Sequence, residues 1–173
     1  MMPHRCLVRD VRATAAAEMA LVLPLLLVLM MGAAELGNYF YSEHILLKSV
    51  RDGARYAARQ DFTFYPDGTC NGTPTQVGDP VLTNTRNLVK TGLLAGGTDR
   101  LVNWSATTID VRMTCTTTAS SQTMRGIYRG RLSGAPRVTV SAAVPYTPVL
   151  ATFGFTGNGM LLNASEQAAV MGL

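Results

Sequence analysis

Charge is scarce in this sequence. Asp, Glu, Lys and Arg make up 15% of its 173 residues, where a soluble domain usually carries about 25%. Histidine is scarcer still: only His4 and His44 occur, on opposite sides of an apolar segment. No Cys/His group has the spacing of zinc ligands, so no metal is expected. No Walker-type loop and no dinucleotide-binding glycine turn is present, and no cofactor is expected. Cys70 and Cys115 follow the apolar segment and have no histidine on their side of it except His44, which argues against a cysteine nucleophile. No catalytic residue is assigned. The net charge of +4 is modest and no polybasic tail exists, so nucleic acid is not expected as a partner.

The chain does contain one long apolar run. Met19–Ala34 reads MALVLPLLLVLMMGAA, without a charge. Extended by Thr14–Glu18 or by Glu35–Gly37, it reaches the roughly 20 residues needed to cross hydrocarbon. Pro24 removes one backbone donor near its start and predicts a kink. Arg5, Arg9 and Arg12 precede the run, which places the N-terminus in the cytoplasm and exports the chain beyond Glu35. Glu18 stands at the threshold, and a carboxylate in hydrocarbon costs at least a few kcal/mol unless it has a partner.

A cleaved signal peptide ending at Ala34 is a second reading, and an uncleaved anchor a third. Against the signal peptide, the helical pattern continues past Ala34. Leu36, Phe40, Leu47, Val50, Ala54 and Ala57 recur at helical spacing, with Glu43 in the same series. Lys48, Arg51, Arg55 and Arg59 form a charged stripe on another face. One helix from Met19 to Arg59 would measure about 60 Å at 1.5 Å per residue.

The stretch RATAAAEMALVLPLLL, followed by ELGNYFY and VRDGARYAARQ, resembles the N-terminal region of TadE-like proteins, pseudopilins of the tight-adherence (Flp) pilus system. RVTVSAAVPYTPVL with LLNASEQAAV is similar to the closing strand pair of those domains. The resemblance implies a cut by prepilin peptidase between Ala13 and Thr14, after a small residue, with Glu18 fifth in the mature chain. Ala13 and Met19 stand where that family more often has glycine and an aromatic. The cut would free the Thr14 amine, which is largely protonated at neutral pH and would pair with Glu18 of its own or a neighbouring chain. Glu18 would thereby set register in assembly; the plainer alternative is a carboxylate at the headgroup level beside a helix N-terminus.

The implied protein is a non-catalytic minor subunit in the bacterial inner membrane. It would cross once, with its C-terminal domain periplasmic, and take part in pilus assembly. Its implied partners are the prepilin peptidase, other pilus or pseudopilin subunits, the inner-membrane assembly platform and membrane lipid. A TadF-like subunit is the nearest variant.

The expected organisation is a basic leader over 1–13, a membrane and assembly helix over 14–37, its amphipathic continuation over 38–59, and an exported α+β domain over 60–173. Within that domain, 60–80 is rich in Gly, Pro, Asp, Asn and Thr and reads as a loop. Thr83–Leu94 reads as a short helix with a Thr or Asn cap, closed by Gly96–Gly97. Leu101–Thr118 turns to period two, with Ile109, Val111, Met113 and Cys115 inward. A second strand is expected over Arg137–Val144, ended by Pro145, and a third within Met160–Val170. The fold class is therefore α+β, a long N-terminal helix packed on a small antiparallel sheet.

A Cys70–Cys115 disulfide suits an oxidising compartment, with two free buried thiols as the alternative. Arg125, Arg129 and Arg131 surround Tyr128 in the segment RGIYRGR. This is an anionic-ligand candidate, though a charged turn that keeps the sheet soluble is the commoner reason for such a run. Three sequons, beginning at Asn71, Asn103 and Asn163, read as chance matches.

Overall fold

The structure is a computed structural model and describes residues 11–65, 73–115, 124–131, 134–154 and 159–172; side chains are not described for 11–13 and 153. The chain divides into two compact units. One is formed by Met1–Tyr39 with Pro148–Thr156, the other by Phe40–Thr147 with Gly157–Leu173.

Helix α1 spans Val11–Ala58, a single element of 48 residues with Pro24 inside it. Its apolar part is long and apolar enough to cross a membrane, and 0% of that apolar window is buried by the protein itself.

In the second unit, the C-terminal part of α1 packs on a four-stranded antiparallel sheet, the α+β arrangement expected from the sequence. The strands are β1 (Thr75–Gln76), β2 (Ile109–Cys115), β3 (Pro136–Pro145) and β4 (Leu161–Ala169). Each pairs with its neighbour in chain order. Alternation decides the faces of β2 and β3. Ile109, Val111, Met113 and Cys115 are buried from β2, and Val138, Val140, Ala142 and Val144 from β3. Register holds the two sets together, with Val111 opposite Val140 and Met113 opposite Val138.

The inward stripe of α1 matches the expected one at Val50, Ala54 and Ala57 and departs from it nearer the N-terminus. Leu46, Ser49, Val50, Gly53, Ala54, Ala57 and Ala58 are buried, whereas Leu36, Phe40 and Leu47 are exposed. The charged stripe Lys48, Arg51, Arg55 and Arg59 is exposed as predicted. Gly53 sits inward because α2 approaches there. A Cβ added at Gly53 would lie 2.3 Å from Val89 Cγ2.

Helix α2 runs Val81–Thr91, earlier than the expected Thr83–Leu94. A carboxylate caps it instead of Thr or Asn: Asp79 Oδ1 accepts from the Thr83 N–H at 3.2 Å. It ends at Gly92, which adopts the left-handed conformation (φ 86°) and donates to the Leu88 carbonyl. A side chain at this position would be strained. Strand β1 lies inside the segment expected to be loop, and the Val77 N–H extends its edge to the Val111 carbonyl at 3.1 Å.

The last carbonyls of α1 lack the usual partner within the helix, and adjacent and distant residues together supply them: the Gln60 N–H donates to the Ala57 carbonyl at 3.1 Å. The Met171 N–H donates to the Ala58 carbonyl at 2.8 Å. The Tyr65 hydroxyl donates to the Ala57 carbonyl at 2.6 Å. Burial pushes the Tyr65 phenol above its ordinary pKa, with a smaller contribution from Tyr56. Tyr65 therefore remains a donor at every physiological pH.

Candidate assembly site

The residues singled out for assembly lie on the first part of α1. Alanines, leucines and methionines are good helix formers and make up most of the stretch from Ala13 to Met31, in which Pro24 is the one helix breaker. Glu18 is exposed on that helix, as is Thr14. Among the described residues Glu18 has no hydrogen-bond or ion-pair partner. Around it the apolar side chains are outward: Leu21 is 79% exposed and Val28 67%. Such a surface is unstable in water and needs lipid or neighbouring helices as its solvent.

The second glutamate, Glu35, closes the apolar run at its far end and is not left open. Its Oε2 accepts the backbone N–H of Leu150 at 3.1 Å. Leu150 belongs to a short 3-10 turn, Val149–Phe153, preceded by Pro148. Proline has no N–H to offer, so the first donors of that turn come from the residues after it. Glu35 takes one of them. Sequence reading missed this pairing, since the two residues are 115 positions apart and no local pattern links them.

Beyond Glu35, α1 carries a run of aromatics. Phe40, Tyr41, Glu43, His44 and Leu47 line an open concavity of about 500 Å³ on the second unit. Phe40 and Tyr41 are 56% and 67% exposed.

The remaining candidates lie elsewhere in the second unit. Cys115 is buried at the end of β2 and is disulfide-bonded; its expected partner, Cys70, lies outside the described residues. The RGIYRGR segment divides. Arg125 and Arg129 are exposed, while Arg131 donates to the Tyr65 carbonyl and stacks over the Phe62 ring, 4.8 Å from its centre. Phe62 in turn meets Tyr128 edge-on at 6.0 Å, and the Tyr128 hydroxyl donates to the Val170 carbonyl at 2.8 Å. One arginine and the tyrosine thus act as a clasp around the end of the fold. Among the described residues no group of three or more His, Cys, Asp or Glu is placed to hold a metal ion.

Compared with known proteins, residues 13–55 match the TadE-like protein family (TadE). The matched stretch begins at Ala13 and includes Thr14, Glu18, Glu35 and the inward residues of α1 as far as Ala54; it does not extend to β3 and β4. No curated protein and no solved structure matches the chain.

Proposed function

We propose that this chain is a non-catalytic, TadE-like minor pseudopilin that serves assembly of a Tad-type pilus from the inner membrane. The observation that carries the reading is the match over 13–55, centred on a continuous helix whose apolar surface is open and whose Glu18 has no partner among the described residues. Prepilin peptidase would cut between Ala13 and Thr14. The new ammonium on Thr14 would then pair with Glu18, in the same chain or the next. Leaving such a charge alone in a low-dielectric site is strongly unfavourable, so subunits would be driven to the one stagger that satisfies it. The exported α+β unit would present its surface to other pilus or envelope proteins.

The mature N-terminus tests this directly. In the producing cell, mass spectrometry should find it at Thr14. An N-terminus at Glu35 would mean release by signal peptidase and would refute the pilus reading. Glu18→Ala should leave membrane insertion unchanged and abolish piliation; a normally piliated mutant would refute charge pairing.

A further inference from the structure

The far end of the apolar helix carries a second apolar element, and both belong to the same unit. Glu18 and Glu35 bracket the run, about 25 Å apart along the axis at 1.5 Å per residue. Hydrocarbon is about 30 Å thick, so a helix that crosses it brings Glu35 to the outer boundary. The turn Val149–Phe153, held to Glu35 by the Leu150 N–H, lies at that same level.

The chemistry of this turn suits a lipid boundary. Val138 through Ser165 contains no Asp, Glu, Lys or Arg, in a protein that has charge elsewhere on its exported part. Val149 is 52% exposed, and Leu150 is half-buried. Backbone donors are what normally bar a loop from hydrocarbon, and three of those in and next to this turn are met. Leu150 N–H goes to Glu35, Ala151 N–H to the Pro148 carbonyl at 3.3 Å, and Gly154 N–H to the Ala151 carbonyl at 3.1 Å. The one hydroxyl in the turn, on Thr152, donates to the Val149 carbonyl at 3.1 Å. An apolar, uncharged turn with these polar groups satisfied is fitted to the headgroup–acyl boundary.

We infer that Val149–Phe153 is a second membrane contact, an interfacial foot that rests in the outer leaflet of the bilayer α1 crosses and is tied to that helix by Glu35. This inference rests on the membrane reading of α1, and its test separates the two. The full chain is reconstituted in phosphatidylcholine vesicles with one added tryptophan, either Val149→Trp or, within the span, Leu27→Trp. The buried native Trp104 supplies a constant background, subtracted with the unmodified protein. Lipids spin-labelled near the headgroup or near the chain end then act as quenchers, with iodide as the aqueous one.

Val149→Trp should lose emission to the headgroup-proximal label more than to the chain-end label, and resist iodide. Adding Glu35→Ala should shift it toward iodide. If iodide quenches Val149→Trp while lipid labels quench only Leu27→Trp, the foot is refuted and the membrane helix stands. If lipid labels quench neither, the membrane reading itself is refuted. Shielding of Val149→Trp from both quenchers, growing with protein-to-lipid ratio, would identify a protein contact and overturn the lipid assignment. Unchanged quenching with Glu35→Ala would overturn the tether.

Discussion

Gly53→Ala isolates the contact that holds α1 against α2. An ideal Cβ there falls 2.3 Å from Val89 Cγ2, with Thr85 Cγ2 at 3.4 Å and Val140 Cγ1 at 3.7 Å. Two carbons settle at about 3.5–4.0 Å, so the helices must part or Val89 must turn. Val89 is fully buried on α2, and a helical valine has one strongly preferred rotamer. Overpacking of this kind costs about 1–3 kcal/mol. Alanine repays part of it, because glycine in a helix interior is about 1 kcal/mol worse. The net expectation is a loss of about 1 kcal/mol. Its size alone is a weak test, since the two contributions oppose each other. The sign reversal is the strong one. In a Val89→Ala background the clash is gone, and Gly53→Ala should become neutral or stabilising by up to about 1 kcal/mol. The coupling between the two sites should therefore be about 1–3 kcal/mol. The only tryptophan, Trp104, is buried in the same unit. Its emission during urea unfolding of the full chain in detergent reports this unit and not the apolar helix. Equal effects of Gly53→Ala in both backgrounds would refute the close-approach explanation.

The same unfolding assay carries two further expectations. Tyr65→Phe removes the bond to the Ala57 carbonyl and should cost about 1 kcal/mol at neutral pH. The folded pKa of Tyr65 is raised above its ordinary value of 10.0, so its stabilisation is whole below that pH and is lost as pH climbs through the folded value. The alkaline decline should accordingly be shallower in Tyr65→Phe, and parallel curves would remove Tyr65 as its source. Arg100 donates to the buried Ser49 hydroxyl at 2.8 Å and lies 3.8 Å from Asp52. Arg100→Met should cost about 1–2 kcal/mol, chiefly by stranding that hydroxyl, since partly exposed ion pairs contribute little. Ser49→Ala should recover part of the loss, and no recovery would mean that the ion pair dominates.

How far the sequence could be read depended on the reach of each signal. Strands β2 and β3 were legible because a buried face repeats every second residue, and Val138, Val140, Ala142 and Val144 leave no other phase. Strand β1 has two residues among glycines and prolines and exists only through hydrogen bonds to β2, so no periodicity could mark it. On α1 the ambiguity was local. Leu46 and Leu47 are adjacent and equally apolar, and a phase built on Leu36 and Phe40 selects Leu47. Those two residues lie where one unit gives way to the other, and both are exposed. The true stripe includes Ser49 and Gly53, which a search for apolar residues passes over although one hydrogen-bonds and the other makes room. The start of α2 lies ahead of the Thr and Asn that the sequence offers as caps, because Asp79 caps it from just before Pro80. Glu18 could be singled out from sequence because its peculiarity is local: a charge beside a long apolar run. Glu35 stands beside the same run, yet its partner is Leu150, and only the fold brings them together.

These two glutamates divide the tasks of the apolar helix. Glu35 is answered inside the chain, where the Leu150 N–H offsets part of its desolvation. Glu18 has no such answer among the described residues, and whatever lowers its cost must come from a new amine, from solvent at the headgroups or from another molecule. The buried core of the second unit involves neither: it includes Trp104, Tyr65, the valines of β2 and β3, Leu46, Val50 and Ala57. The packing of that core and the satisfaction of Glu18 are thus energetically separate, since distant sites with no shared partners contribute additively. On the proposed reading, that separation lets a subunit wait in the membrane fully folded while its unpaired carboxylate biases it toward assembly.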